Sequence, residues 1–280
     1  DCLYIGTSHG LFRISELNEK IKDVENGKFA LQSSPTRITD EVNDISFSHN
    51  GQWVITGGKH VQLSSTLIPS DTTSLQINLV ANDYILSIDS TDNFVVAGSY
   101  KGNLHIIPHP KCTPSIVSYS KININSLFKL KRVPIRSISI ENTNIFLGTG
   151  IKKLLCFSLN PVNQNNKIYF VPDFKESNLN KSIDYILNLD GPITSLTSLE
   201  NNIIGLAGNK VFSLKLDEEN REVNYLYKEE NSKSIFYGLH LIPLKENNFL
   251  STFPPCNIIF GGDYTQLYYL SQDALQDLRD

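Results

Sequence analysis

Six histidines, four cysteines and a scatter of serines are the side chains of this 280-residue chain that could carry reactive chemistry. Nucleophilic catalysis needs a Ser or Cys with a base within hydrogen-bond reach. No Gly-x-Ser-x-Gly elbow occurs, and no single Ser, His and Asp set stands out by position. The histidines His9, His49, His60, His105, His109 and His240 form no i,i+4 pair on a helix. His105 and His109 come closest, but Ile106-Ile107-Pro108 separates them and favours surface or strand-end positions over a metal site. Cys2, Cys112, Cys156 and Cys256 lie far apart and match no zinc spacing, so they read as free thiols in a reducing compartment. Neither a Walker-type loop nor a Gly-x-Gly-x-x-Gly between strand and helix is present. The expectation is a chain that is not an enzyme, with no catalytic residues, metal ligands or cofactor.

The elements that must position these side chains come from a recurring phrase: an apolar run, a stop containing Gly, then a second apolar-alternating run. It appears as Leu3-Tyr4-Ile5-Gly6-Thr7 before Leu11-Phe12-Arg13-Ile14, and as Trp53-Val54-Ile55-Thr56-Gly57 before Val61-Gln62-Leu63. Further copies centre on Gly98, Gly148, Gly208 and Gly261, a period of about 40 to 60 residues that suits propeller blades. Leading runs such as Ile45-Ser46-Phe47, Ile85-Leu86-Ser87-Ile88, Ile135-Arg136-Ser137-Ile138 and Ile193-Thr194-Ser195-Leu196 alternate apolar and polar, the mark of a strand with one buried face. Turns rich in Asn, Asp and Gly follow them, residue types that tolerate positive φ or bond their own backbone.

The stretch from Val42 to Gly58 resembles the first half of a WD repeat, and the resemblance to WD-repeat-like propellers covers most of the chain. It implies an all-β fold: a single β-propeller of six or seven four-stranded antiparallel blades, its ring closed by strands from both termini. Six copies are visible, and residues 111–134 or 161–190 could hide a seventh. The chain departs from the family pattern in having no Trp-Asp dipeptide, a single Trp, Trp53, and no Gly-His repeat opening. None of the family's binding residues is therefore carried over. A second resemblance, to citron-homology propellers, is confined to the opening Cys2 to Phe12. Residues 1–271 are expected to form the propeller domain and 272–280 a short acidic tail. The chain lacks Met and opens at Asp1, which reads as a trimmed fragment or as a sequence with modified methionines omitted.

If the leading run is the second strand of a blade and the glycine run its third, the turns between third and fourth strands share one face. They carry His9, Lys59 with His60, Lys101, Lys152 with Lys153, and Lys210, whereas the turns on the other face carry Asp92, Glu141, Glu200 and Glu246. The basic turns form a candidate face for an acidic partner segment, since opposed potentials speed encounter and set orientation. A second candidate is the apolar loop Phe253-Pro254-Pro255, where a stiff turn could anchor a partner with little entropy loss.

A net charge of −4 weighs against a dedicated nucleic-acid binder, although Lys129, Lys131 and Arg132 add to the basic turns. No apolar stretch approaches the roughly 18 residues that span a bilayer. With 40% hydrophobic and 19% charged residues the chain can bury a core. The expected function is a non-catalytic protein-protein interaction scaffold in an intracellular assembly, cytoplasmic or nuclear. The alternatives are a small-ligand-binding or hydrolytic propeller and a nucleic-acid or chromatin-binding one.

Overall fold

The computed structural model of the protein describes residues 2–15, 36–37, 41–48, 53–65, 75–77, 83–91, 93–108, 120–159, 161–164, 167–170, 183–216, 223–230, 234–243, 256–262 and 266–271. Apart from the short helix Asn125–Phe128, its regular elements are β-strands in antiparallel meanders. The loop Phe253-Pro254-Pro255 and the tail 272–280 lie outside the described residues.

Five blades have an inner strand, and these strands pack side by side around a central cavity: Val42–Phe47, Ile85–Ser90, Ile135–Glu141, Ile193–Leu199 and Phe236–Pro243. The first four blades have four strands each and the fifth three, Phe236–Pro243, Cys256–Gly262 and Leu267–Leu270. This corrects the expectation of six or seven blades. The first glycine phrase forms a three-stranded sheet, Cys2–Thr7, Gly10–Ser15 and Thr36–Arg37, that has no inner strand among the described residues. Six phrases thus mark six hairpins but five blades.

The two candidate places for a further blade resolve differently. Ser120–Asn123 is the outer strand of the second blade, and Ile183–Asn188 the outer strand of the third. Between Ser158 and Ile183, Pro161–Gln164 and Lys167–Phe170 pair only with each other, as a separate hairpin. The expected closure is also corrected, because no described sheet joins strands from the two ends of the chain. Nor are the leading runs second strands: each lies at the edge of its sheet and is the first and innermost strand.

The glycine of the phrase has a packing reason. A Cβ on Gly6 would come within 2.8 Å of Val42, one on Gly57 within 2.6 Å of Ile85, and one on Gly148 within 2.5 Å of Ile193. Gly98 meets Ile135 in the same way. Each glycine sits on one sheet and accommodates the first β-branched residue of the next inner strand, so the repeat records blade-to-blade docking. Gly208 does not share this contact; it occupies a turn with φ of 62°, backbone open to Gly at no steric cost. The second strands are sandwiched by neighbouring blades, which is why Phe94–Ser99 and Asn202–Ala207 are buried along their whole length.

All five inner strands carry a β-bulge near their start, after the first paired residue in four of them and after the second in Phe236–Pro243. The residue left unpaired against the second strand is Asn43, Leu86, Arg136, Thr194 and Gly238 in turn. A bulge inserts one residue without shifting the rest of the ladder and re-aims its side chain. Each of the five lines the central cavity.

Candidate functional site

The inner strands define the first candidate, a cavity of about 550 Å³ whose lining includes Asp44, Asp89, Arg136 and hydroxyls from every one of the first four blades. Neighbouring inner strands are edges that do not pair through their backbones, and edge groups need partners. Side chains supply them. Asp44 Oδ2 accepts from the Ile88 backbone N–H at 2.8 Å, and Asp89 Oδ2 from that of Ile140 at 2.8 Å, each reaching one blade along. Asn43 Nδ2 donates to the Ile85 carbonyl at 2.7 Å, and Ser198 Oγ to the Ile140 carbonyl at 3.2 Å. Ser46 Oγ donates to Asp89 Oδ1 at 3.2 Å.

Burial pushes the Asp44 carboxyl up to about 7 against the hydrogen bonds it accepts from Ile88 and Ile45, with the nearby Asp89 charge adding to the rise. Asp89 is raised for the same first reason, burial. Two carboxylic acids with high proton affinity in a polar cavity are a pattern seen at functional sites. Here both oxygens of each are already occupied by backbone or hydroxyl donors, which makes them clamps between blades.

A second polar cluster is fully internal. His105 Nε2 lies 3.0 Å from Asp83 Oδ2, and Asn103 Nδ2 donates to the same oxygen at 2.6 Å. Burial disfavours the Asp83 carboxylate, yet bonds from His105, Ser99 and Asn103 hold its pKa below the ordinary value. Asp, His and Ser are the types of a hydrolytic triad, but His105 is wholly buried and neither it nor Ser99 lines a described cavity. His105 is thus a core residue rather than one at the surface.

The basic turn residues are placed by the meanders. His9, Lys59, His60, Lys101, Lys152, Lys153 and Lys210 all sit at or beside the turn that follows a glycine-bearing strand. With the strand order corrected, these are turns between second and third strands of the blades. Their environments differ. Lys59, Lys101, Lys152 and His9 are exposed. Lys153 bonds Asn188, and Lys210 is paired with Asp190 and lies 4.4 Å over the Tyr225 ring. Turn and loop residues meet in a cleft of about 810 Å³ lined by Tyr100, Lys101, Lys121, Leu130, Lys131 and Arg132, with Asn103, Asn123 and Asn125 completing the wall. The Arg132 guanidinium sits 4.3 Å over the Tyr100 ring.

Asn125 assembles this cleft. Its Nδ2 donates to the Lys101 carbonyl at 2.8 Å and to the Lys131 carbonyl at 3.3 Å, and its Oδ1 accepts from the Val133 N–H at 2.8 Å. Gly102, at φ of 81°, lies so close to Asn125 that a side chain there would collide with it. Lys121 joins the others only through pairing of Ser120–Asn123 with Asn103–Ile106, and Tyr100, beside Lys101 in sequence, gains its role only from the Arg132 that folds over it, so neither carries a signal in the sequence. The cavity carboxylates Asp44 and Asp89 were missed because single Asp residues inside alternating strands carry no motif.

No family model matches the chain, and no curated protein matches it in sequence. Solved structures do match. The β-propeller domain of Cps50 (Swd1) from Myceliophteria thermophila aligns over 98% of this chain and 80% of its own, at 11% identity and a TM-score of 0.62. The WD40 β-propeller domain of Doa1 aligns over 98% and 76%, at 10% identity and a TM-score of 0.62. The chain has a WD40-like β-propeller fold. A chain of the mitotic checkpoint complex is also similar, over 84% and 64% at 10% identity, with a TM-score of 0.56. Identities this low speak to fold alone, and function must be argued from the site. Among the described residues no helix is long and apolar enough to cross a membrane.

Proposed function

We propose that this propeller is a non-catalytic scaffold that holds other proteins within an intracellular multiprotein assembly, cytoplasmic or nuclear. The observation that carries the reading is the set of exposed cations on rigid turns, Lys59, Lys101 and Lys152, presented by consecutive blades. Such an array supplies a fixed potential that orients an acidic partner at no cost in reorganisation. Support of a weaker kind comes from the company of the fold, since one similar chain belongs to the mitotic checkpoint complex. His9, Lys153 and Lys210 belong to the same proposed face, with His60 beside Lys59.

The test is to purify a tagged protein from its native cell at about physiological salt and identify what remains bound in stoichiometric amount. A defined set of subunits is expected; a protein recovered alone overturns the reading. The second reading is a small-ligand propeller. It is favoured by Asp44, Asp89 and Arg136 around a polar cavity. A thermal-shift screen of small cationic and polyhydroxyl compounds separates the two, because only the ligand propeller gains stability from a compound that fills the cavity.

A further inference from the structure

We propose that the cleft between Tyr100 and Arg132 is the docking site for an acidic peptide segment of a protein partner, one that interleaves carboxylates with apolar side chains. This rests on the scaffold reading and narrows it from a face to a place. Three chain segments bring cations together there: Lys101 from a turn, Lys121 from an outer strand, and Lys131 with Arg132 from the loop after the short helix. None of the four has an ion-pair partner among the described residues. Among the described residues no carboxylate lines the cleft, and the buried Asp83 is committed to His105 and Asn103. Elsewhere at the same end of the sheets the charge is partly spent, as Lys210 is paired with Asp190.

The chemistry of the wall selects the ligand. Tyr100 and Leu130 are 40% and 46% exposed, an apolar step set among the cations. The Arg132 guanidinium sits 4.3 Å over the Tyr100 ring, a contact that leaves its charge available to carboxylates, which guanidinium binds in a forked geometry. A nucleic-acid backbone would use the cations but leave the leucine unmatched, and its affinity grows with the number of phosphates neutralised, which four cations limit. An extended acidic and apolar peptide uses both. The cleft is also preformed, because Asn125 ties the Lys101 turn to the Lys131 loop, and preorganisation lowers the entropy lost on binding.

The probe is a fluorescein-labelled peptide of alternating Glu or Asp with Leu or Phe, titrated against the full chain by anisotropy at about 0.05 M and about 0.15 M salt. Saturable binding that weakens several-fold at the higher salt is expected. The exposed charge reversals Lys131→Glu with Arg132→Glu should weaken it about tenfold or more, and Leu130→Ser should weaken it at both salts. Lys215→Glu with Lys228→Glu, outside both the cleft and the basic turns, should leave it within about twofold. Matching thermal midpoints for all variants show that the fold is kept. Absence of saturable binding, equal loss in the control pair, or tighter binding of a short single-stranded RNA overturns the proposal. In the native-cell purification, a full set of subunits on the Lys131→Glu, Arg132→Glu protein overturns the cleft and leaves the scaffold standing. A wild-type protein that purifies alone overturns both.

Discussion

Gly57 and Ile85 meet across a blade boundary: a methyl group on Gly57 would lie 2.6 Å from Cγ2 of Ile85. Both residues are fully or almost fully buried, so neither can swing aside. Replacing Gly57 by Ala should cost about 1–3 kcal/mol of overpacking. Ile85→Ala alone should cost about 2–5 kcal/mol through the void it leaves. Together they should cost clearly less than the sum, since each relieves the other. Urea unfolding of the four proteins in the cycle checks this; strict additivity would mean that the two residues do not share a boundary.

Asp44 sets a pH dependence. Its folded-state value of about 7 lies above the ordinary aspartate value of 3.8, so between those limits the folded protein holds a proton that the unfolded chain has released. Stability from this group is full below about pH 4, falls as pH rises, and levels off above about 7. Asp89 is raised too and adds a change of the same sign. The loss from Asp44 alone is bounded at about 4 kcal/mol, at roughly 1.36 kcal/mol per pKa unit. Denaturant midpoints at about pH 5 and about pH 8 should differ in that direction, and Asp44→Asn should flatten the slope.

The Asp83–His105 pair should behave as structure. Removing one partner strands the other in the core, and Asp83→Ala should cost about 3–5 kcal/mol. Replacing both with apolar residues should cost less than the single change. Thermal unfolding distinguishes this from a reactive pair, whose loss would spare stability.

Asn125→Ala should release the cleft. The Val133 N–H loses its acceptor, at about 1–3 kcal/mol, and two carbonyls lose a donor. Amide exchange at Val133 should accelerate while that of the buried strand Phe94–Ser99 is unchanged, a contrast that native-state hydrogen exchange resolves.

Much of the fold was legible because alternation in Ile85–Ser90 or Ile135–Glu141 has the period of a strand with one wet face. Alternation does not say which strand of a meander is innermost, and the leading and glycine-bearing strands are therefore each one position further in than the sequence suggests. Outer strands as short as Leu75–Ile77 leave little pattern to read, and Lys167–Phe170, strand-like in sequence, pairs with Pro161–Gln164 rather than with a blade. The cleft was half visible. Lys101, Lys131 and Arg132 could be singled out as cations, but their meeting depends on strand pairing and on the side chain of Asn125.

The recurring bulge gives the molecule a property that neither blades nor turns possess. Asn, Leu, Arg and Thr occupy equivalent positions around the cavity, four unlike chemistries at one kind of bulge, while Gly238 takes the fifth place with a φ of 61° that suits glycine. At Leu86 and Arg136 the bulged residue lies outside the ladder and outside the core, so its identity can change without disturbing either, whereas Asn43 and Thr194 also bond the Ile85 and Phe236 carbonyls of the next blade. Evolution or an engineer can therefore rewrite the interior of the ring one blade at a time, as one changes the bits of a tool while keeping its handle.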